Sequence, residues 1–289
     1  MEKVKILVAC HKPGKVYQDE VYTPIHVGRA ISNYKDEMAD MIGDDTGDNI
    51  SEKNPMYCEL TAQYWAWKNL PDVEYIGFCH YRRYFDLQLT PDNVDTLFKH
   101  TDVIVLSKCF KTTMAQDILR YVSLDDLTIF LMVLKQKYPE YEQTALSYLY
   151  GNKFFPRNML ICRKSLFDEY ASWLFDILSA CEQYMRPSGY SRARRAMGYL
   201  GEYFMAVYML HHHLRVRQVE YGPWYGLKGK KDRSDTALGK IILNTHHRLY
   251  SLIFGKPKSF EGYYACSKPI LLGLQADGIL DAISGQNQP

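Results

Sequence analysis

Short apolar runs separated by helical patterns are the feature that most constrains how this chain can fold. The runs have the length and composition of buried β-strands, and they cover residues 4–10, 39–42, 73–79, 102–107, 158–162 and 214–219. Strands that alternate with helices form βαβ units around a mainly parallel sheet. The sequence therefore predicts an α/β fold, with a mainly parallel sheet flanked by helices.

The starts of the intervening helices are marked in the sequence. In one helix Asn54 is expected to be the cap and Pro55 to occupy the first helical position. A second is expected at Ser165, which has the spacing of a capping box with Asp168. A third is predicted over about residues 199–212. Each carries apolar residues at helical spacing, as expected of helices that pack on a sheet.

Two segments extend this plan. Residues 117–150 read as helices inserted between two sheet strands, and residues 221–289 as a basic loop followed by a C-terminal helical extension. The predicted domains are accordingly 1–220, with the helical insertion, and 221–289, packed on it. One further helix is expected over 236–254, in "TALGKIILNTHHRLYSLIF".

Composition excludes several classes of protein. Lys plus Arg exceeds Asp plus Glu by only 35 − 33 = 2, so no global field exists to hold a nucleic acid. No apolar run approaches the roughly 20 residues of a membrane-spanning helix, and the first residues lack a signal-peptide cleavage site. The seven cysteines form no C-x-x-C pair. We therefore expect a cytoplasmic protein without disulfides or a zinc site.

The stretch "YIGFCHYRRYF", residues 75–85, places polar groups where a buried strand ends. Ligands of open α/β sheets bind beyond the carboxyl ends of the strands. Arg82 and Arg83 can hold phosphate oxygens through their planar forks, with His80 beside them, and Tyr81 can stack on a base or sugar. The alternative is an arginine pair bonded to loop carbonyls and surface carboxylates.

A second group lies in "GDDTGDNIS", residues 43–51, which also follows a predicted strand. Asp44, Asp45 and Asp48 can bind a hard cation such as Mg²⁺ or Mn²⁺, or accept hydrogen bonds from sugar hydroxyls. The alternative is a solvated turn that leads into a helix.

A third group surrounds the helix at 199–212. Glu202 can act as a general base toward a hydroxyl, and Glu59 is a similar candidate. Arg192, Arg194 and Arg195 would supply positive charge to a phosphate. The alternative for each carboxylate is a solvated position on a helix surface.

Five motifs, taken in order, give the chain a family resemblance: "YTPIHVGRAIS", "DDTGDNISEKNPMYCELTAQYWAWKN", "YIGFCHYRRYF", "NMLICRKSLFDEYASWLFDIL" and "GYLGEYFMAVYM". The sequence resembles a bacterial family encoded in capsular and exopolysaccharide gene clusters, long known as a domain of unknown function and identified as glycosyltransferases. Some members are associated with galactofuranose transfer. The resemblance covers about residues 4–219.

The resemblance implies a GT-A-like fold and a nucleotide-sugar donor, expected to be linked to UDP. It also implies an acceptor that is a glycan or a lipid-linked glycan. A D-x-D motif for Mn²⁺ is missing at the expected strand end, where "HYRRYF" stands instead, so we expect His80, Arg82 and Arg83 to replace the cation at the leaving diphosphate. The remaining expected roles are nucleotide binding for Ala9, His11 and Lys12, donor contact for the three aspartates, and contact with a sugar for Asn158.

Two other functions remain open. A sugar-phosphate transferase of the same pathway would use similar arginines and carboxylates. A non-catalytic carbohydrate-binding protein would use the 24 tyrosines as stacking platforms. Separately, the basic and aromatic stretch from His247 to Lys258 either packs on the domain or makes a peripheral contact with an anionic membrane.

Overall fold

A computed structural model of the chain describes residues 2–186, 188–189, 193–222, 236–264 and 268–285. Most of the predicted basic loop, and Arg192, lie outside the described residues. The described parts form two compact units. The first unit draws on Met1–Lys108, Phe155–Trp173 and His212–Lys231, and the second on Cys109–Phe154, Leu174–His211 and Asp232–Pro289. The predicted domain boundary near residue 220 stays a prediction.

Seven strands of the first unit form one sheet, in the order β3-β2-β1-β4-β8-β5-β9. A two-stranded sheet, β6-β7, belongs to the second unit. The strands are β1 Glu2–Cys10, β2 Tyr22–His26, β3 Ile42–Gly43, β4 Val73–His80, β5 Val103–Leu106, β6 Cys109–Phe110, β7 Lys153–Phe154, β8 Leu160–Arg163 and β9 Val216–Val219. In the large sheet only β8 runs antiparallel to its neighbours. The predicted mainly parallel α/β sheet is confirmed.

Helices flank the sheet and make up most of the second unit. They are α1 Asn54–Tyr57, α2 Leu60–Asn69, α3 Val94–Phe98, α4 Met114–Ile118, α5 Leu124–Lys137, α6 Glu142–Leu149, α7 Lys164–Glu182, α8 Ala196–His211, α9 Ala237–Phe254, α10 Phe260–Tyr264, α11 Lys268–Ala276 and α12 Ile279–Ser284. The predicted helical insertion and C-terminal helical extension are therefore present. None of the described helices is both long and apolar enough to cross a membrane.

The register of the parallel strands brings their carboxyl ends to one edge. Ala9 of β1 pairs with His80 of β4, and Cys10 pairs with His26 of β2. His26 in turn pairs with Gly43 of β3. Because these pairs are the last of each strand, the loops that follow four strands leave the sheet side by side. Both sequence groups that follow strands, at residues 43–51 and 80–85, start from this edge.

Three local predictions were wrong. The run 39–42 is mostly turn, and only Ile42 pairs as a strand residue, whereas β2 was missed because Pro24 interrupts its pattern. Asn54 does not cap a helix: its side chain donates instead to the carbonyl of Cys58, at 2.8 Å. Cys58 has a φ of +53°, which ends α1 after one turn and separates it from α2.

The start of α7 also differs from the predicted capping box. The helix begins at Lys164, so Ser165 lies within its first turn. Asp168 pairs with the ammonium of Lys164, at 2.5 Å, one helical turn away. The apolar face predicted for this helix is confirmed, since its large side chains are buried: Phe167, Tyr170, Leu174, Ile177, Leu178 and Cys181.

Candidate functional site

A small pocket lies at the carboxyl edge of the sheet, within the first unit. It is lined by Ala9, Glu59, Ala62, Gln63, Phe78, Cys79, His80, Asn158 and Met159. The pocket therefore brings together four residues predicted for the site: Ala9, Glu59, His80 and Asn158. The free space in the pocket is small, so it suits a single polar group of a ligand, such as one hydroxyl, and not a whole ring.

The backbone after β4 turns sharply at the pocket. The amide of Arg83 donates to the carbonyl of His80 at 2.8 Å, and the amide of His80 donates back to Arg83 at 3.2 Å. The two residues thus form an antiparallel bridge, and side chains directly opposite in such a pair lie on the same face. The turn places the Arg83 side chain beside that of His80, with Tyr81 and Arg82 at its tip.

A hydrogen-bond network holds the polar groups of the pocket. Nε2 of His80 lies 2.9 Å from the carbonyl oxygen of Arg157, and because a carbonyl only accepts, Nε2 carries the proton. The same nitrogen is 3.7 Å from Oε1 of Glu59, which also accepts from Nδ2 of Asn158 at 3.2 Å. Gln63 donates to the carbonyl of Asn158 at 3.0 Å. The side chains of His80, Asn158 and Gln63 are thereby each held by a hydrogen bond.

The side-chain oxygen of Gln63 is a buried acceptor that receives no hydrogen bond from the described residues. Gln63 as a whole is 1% exposed. A buried acceptor without a partner costs about 1–3 kcal/mol. Since Gln63 lines the pocket, a hydroxyl or amide that enters the pocket can supply the missing donor.

The backbone before β8 is strained at the same place. Arg157 has a φ of +83° and Asn158 a φ of +51°, although neither is glycine. Such conformations are uncommon for residues with a side chain and cluster at functional sites. The strain presents the Arg157 carbonyl to His80 and the Asn158 side chain to Glu59.

Positive charge gathers beside the pocket. Arg83 is half-buried, and its pKa is lowered by desolvation and, secondly, by the charge of Arg157. Arg82 is exposed and stacks over the ring of Tyr81, with 4.8 Å between its guanidinium carbon and the ring centre. Among the described residues, no carboxylate lies within salt-bridge distance of Arg82 or Arg83. The fork of Arg83 can therefore accept an anion without first breaking an ion pair.

The tyrosines of "HYRRYF" are core residues. Tyr81 is 6% exposed and Tyr84 is 4% exposed, and both belong to the apolar core of the first unit. The hydroxyl of Tyr84 accepts from the amide of Tyr17 at 3.0 Å. Stacking of Tyr81 on a base or sugar would require its ring to be uncovered, so the structure assigns it a supporting position beneath Arg82 and against His11.

The three aspartates of residues 43–51 point to different partners. Asp44 is completely buried, and its carboxylate accepts hydrogen bonds from three groups: the amides of Gly28 and Arg29 and the hydroxyl of Ser51. Asp45 pairs with Arg29 at 3.3 Å, and Asp48 accepts from the hydroxyl of Tyr64 at 3.0 Å.

A metal site of Asp44, Asp45 and Asp48 is therefore not supported. Mg²⁺ and Mn²⁺ need oxygens that converge on one point, and these carboxylates do not. In the ranges that the structure describes, no three His, Cys, Asp or Glu side chains are arranged to hold a metal ion.

The other predicted residues lie apart from the pocket lining. His11 and Lys12 are exposed in the loop after β1. Arg195 and Glu202 belong to the second unit, where Arg195 is exposed and Glu202 is 8% exposed. Their predicted roles stay predictions.

Two residues of the site were missed in the sequence. Gln63 lies one helical turn beyond Glu59, and this spacing places both on one side of α2, a signal that was present. Arg157 stands in the Gly- and Pro-marked loop "GNKFFPRNM". Its approach to Arg83 depends on β8 lying next to β4 in the sheet, which no local pattern shows.

The sheet and the edge pocket define an α/β protein with a pocket beyond the carboxyl ends of its parallel strands, the place where such sheets bind ligands. A family model described as "Domain of unknown function (DUF4422)" matches residues 5–213. The chain belongs to this family.

A solved structure, that of the WbbM bifunctional glycosyltransferase in its apo form, is similar to the chain with 27% identity and a TM-score of 0.69. The match covers 76% of this chain and 45% of that one, so the chain spans less than half the length of its structural relative. The similarity is consistent with a GT-A-like α/β fold, as predicted. A search of curated proteins found no match.

Proposed function

We propose that the protein is a glycosyltransferase that moves a sugar from a nucleoside diphosphate donor to a glycan acceptor. The observation that carries the proposal is the half-buried Arg83, without a paired carboxylate among the described residues, beside a pocket lined by hydrogen-bonding side chains. A diphosphate leaving group gains negative charge in the transition state, and fixed guanidinium donors stabilise that charge. The similarity to a bifunctional glycosyltransferase supports the same class of reaction.

In this proposal a hydroxyl of the donor sugar or of the acceptor enters the pocket, which His80, Asn158 and Gln63 line. Within the described residues Oε1 of Gln63 accepts no hydrogen bond, so such a hydroxyl can donate to it. Arg83, with Arg82 at the tip of the turn, then holds the diphosphate at the mouth of the pocket. In this proposal, Ala9, His11 and Lys12 contact the nucleotide.

Deprotonation of the acceptor hydroxyl requires a base. Glu59 lines the pocket and is held by Asn158, which makes it the candidate of the first unit. Glu202 is the candidate of the second unit. A base must come within hydrogen-bond reach of the attacking hydroxyl, and an assay of the two variants decides between them.

The finer assignments follow the family resemblance. We propose a UDP-linked donor, with galactofuranose as one sugar to test, and a capsular or exopolysaccharide acceptor, free or carried on a lipid. The reaction would take place in the cytoplasm, where nucleotide sugars are available. A screen of the purified protein against a panel of nucleotide sugars, with and without chelator, tests donor, acceptor and metal dependence together.

The Arg83→Ala variant tests the anion-binding role. We expect kcat to fall by about 10²–10³-fold, the usual cost of losing one donor to a developing charge, and UDP binding measured by calorimetry to weaken. Arg217→Ala removes the same charge from an exposed position on β9 and serves as the matched control. Wild-type turnover by a folded Arg83→Ala protein would refute the role.

The same assays separate the other functions. A sugar-phosphate transferase would add the mass of a phosphate as well as that of the sugar to the acceptor. A carbohydrate-binding protein would bind glycans but show no affinity for UDP.

A further inference from the structure

The helix α9, Ala237–Phe254, presents its apolar side to solvent. Of the twelve large apolar side chains that are exposed in the described residues, seven belong to this helix. Six of the seven, between 50% and 83% exposed, share one face: Leu238, Ile241, Ile242, Leu249, Leu252 and Ile253. Their spacing of i, i+3, i+4, i+11, i+14 and i+15 is that of a single stripe on a helix with 3.6 residues per turn. We call this stripe the outer face of α9.

The opposite side of α9 makes polar contacts within the second unit. Asn244 accepts from the side-chain amide of Asn152 at 2.7 Å, and Nδ1 of His247 lies 2.9 Å from the carbonyl of Thr112. No residue of this helix is buried. A surface helix of a globular protein ordinarily turns its apolar stripe toward the core, and α9 does the reverse.

A stripe of this kind needs a partner. Exposed apolar side chains that are scattered singly require no explanation, but a contiguous patch marks a surface for a protein or a membrane. The hydroxyl of Thr236 caps the helix by accepting from the amide of Gly239 at 3.0 Å. The helix is therefore defined by its own local contacts before any partner binds.

The charges next to the stripe select the partner. Residues 241–259 contain three Lys or Arg residues, Arg248, Lys256 and Lys258, and no Asp or Glu. Arg248 and His246 are exposed and, at 100° per residue, lie on opposite borders of the outer face. Cations beside an apolar helix face are attracted to anionic lipid headgroups, at about 1 kcal/mol for each Lys or Arg near the surface.

A second copy of the chain fits this surface less well. In a two-fold dimer built on the outer face, the same patch would meet itself. The cations of both helices would then come together, and α9 offers no carboxylate to pair with them. Like charges at an interface cost free energy. An anionic bilayer instead offers negative headgroups to the cations and an apolar interior to the outer face.

We propose that α9 is an interfacial helix that docks the protein on an anionic lipid bilayer, lying in the plane of the membrane with its outer face in the headgroup region. The side chains of the outer face would enter the apolar layer, and Arg248, Lys256 and Lys258 would contact the anionic headgroups. The inference does not depend on the proposed enzymatic activity, because it uses no residue of the pocket.

Cosedimentation with lipid vesicles tests the proposal. The full chain is expected to bind vesicles of mixed phosphatidylglycerol and phosphatidylcholine, and to bind vesicles of phosphatidylcholine alone at least about tenfold more weakly. The double variant Leu252→Asp, Ile253→Asp should lower binding to the mixed vesicles about 100-fold or more, because it removes two inserted side chains and adds two negative charges.

The control variant is Leu272→Asp, which makes the same chemical change at a 61% exposed position on α11. It should bind mixed vesicles as the wild type does. Circular dichroism and thermal unfolding should be unchanged in all variants, since the substituted side chains are exposed. As a second measurement, the amides of α9 should exchange hydrogen more slowly when mixed vesicles are present.

Three results would overturn the proposal. The first is an absence of binding to the mixed vesicles. The second is equal loss of binding in the control and the double variant, which would show that the outer face is not the contact. The third is a dimer in light scattering that the double variant dissociates, without vesicle binding by the wild type, since the outer face would then pair two copies of the chain.

Discussion

Replacement of Asp44 by alanine should destabilise the first unit far more than its place in an aspartate-rich loop suggests. The buried carboxylate accepts from the amide of Gly28 at 2.8 Å, from the amide of Arg29 at 3.1 Å and from the hydroxyl of Ser51. Hydrogen bonds to a charged group contribute about 1.5–3 kcal/mol each, and a buried donor left alone costs about 1–3 kcal/mol. Partial compensation by water reduces the sum, and we expect the free energy of unfolding to fall by about 3–5 kcal/mol.

Urea unfolding followed by circular dichroism measures this change. Asp48→Ala is the matched control: Asp48 is exposed and its carboxylate accepts from the hydroxyl of Tyr64, so the loss of this carboxylate should cost about 1 kcal/mol or less. Both proteins are then titrated with UDP by calorimetry. An Asp44→Ala protein that is as stable as the control, but no longer binds UDP, would show that Asp44 contacts the ligand and does not support the loop.

Two further predictions concern the catalytic base and the fall of the free energy of unfolding at alkaline pH. Glu59→Gln should reduce kcat by about 10²–10⁴-fold if Glu59 takes the acceptor proton; if instead Glu202→Gln shows that loss and Glu59→Gln does not, the base belongs to the second unit. Desolvation and, secondly, the hydrogen bond to Asp48 raise the pKa of Tyr64 to about 12 in the folded protein. Because the folded pKa lies above the ordinary value near 10, the stability that Tyr64 contributes is complete below pH 10 and is lost as the pH rises toward 12. Tyr64→Phe should therefore flatten the fall of stability between these pH values in urea titrations, and an unchanged fall would contradict the assignment.

The elements that the sequence predicted well are those with a strong local pattern. The run 73–79 is apolar except at Glu74, as expected for a strand that is largely covered on both faces, and β4 has a parallel and an antiparallel neighbour in the sheet. The stripe of α7 repeats at helical spacing, and its large side chains are buried. The position of His80 to Arg83 at the end of a strand followed directly from these patterns.

Local patterns failed where a longer-range contact decided the conformation. Cys58 adopts a positive φ and divides the predicted helix, although nothing in its own identity favours that conformation. The strand β2 forms despite Pro24, because β1 pairs with it through five residues. Asp44 and Asp48 look alike in sequence, yet one is completely buried and the other exposed.

The sequence by itself determined the class of fold and the strand end at which polar groups meet. Both depend on local patterns, namely apolar runs and helical periodicity, that neighbouring residues show. Only the tertiary structure decided which of those groups share a pocket. Arg157 and Asn158 reach His80 and Glu59 because β8 lies next to β4, across about 80–100 residues of chain. Such a contact depends on the order of strands in the sheet, and that order is set by the packing of the whole unit.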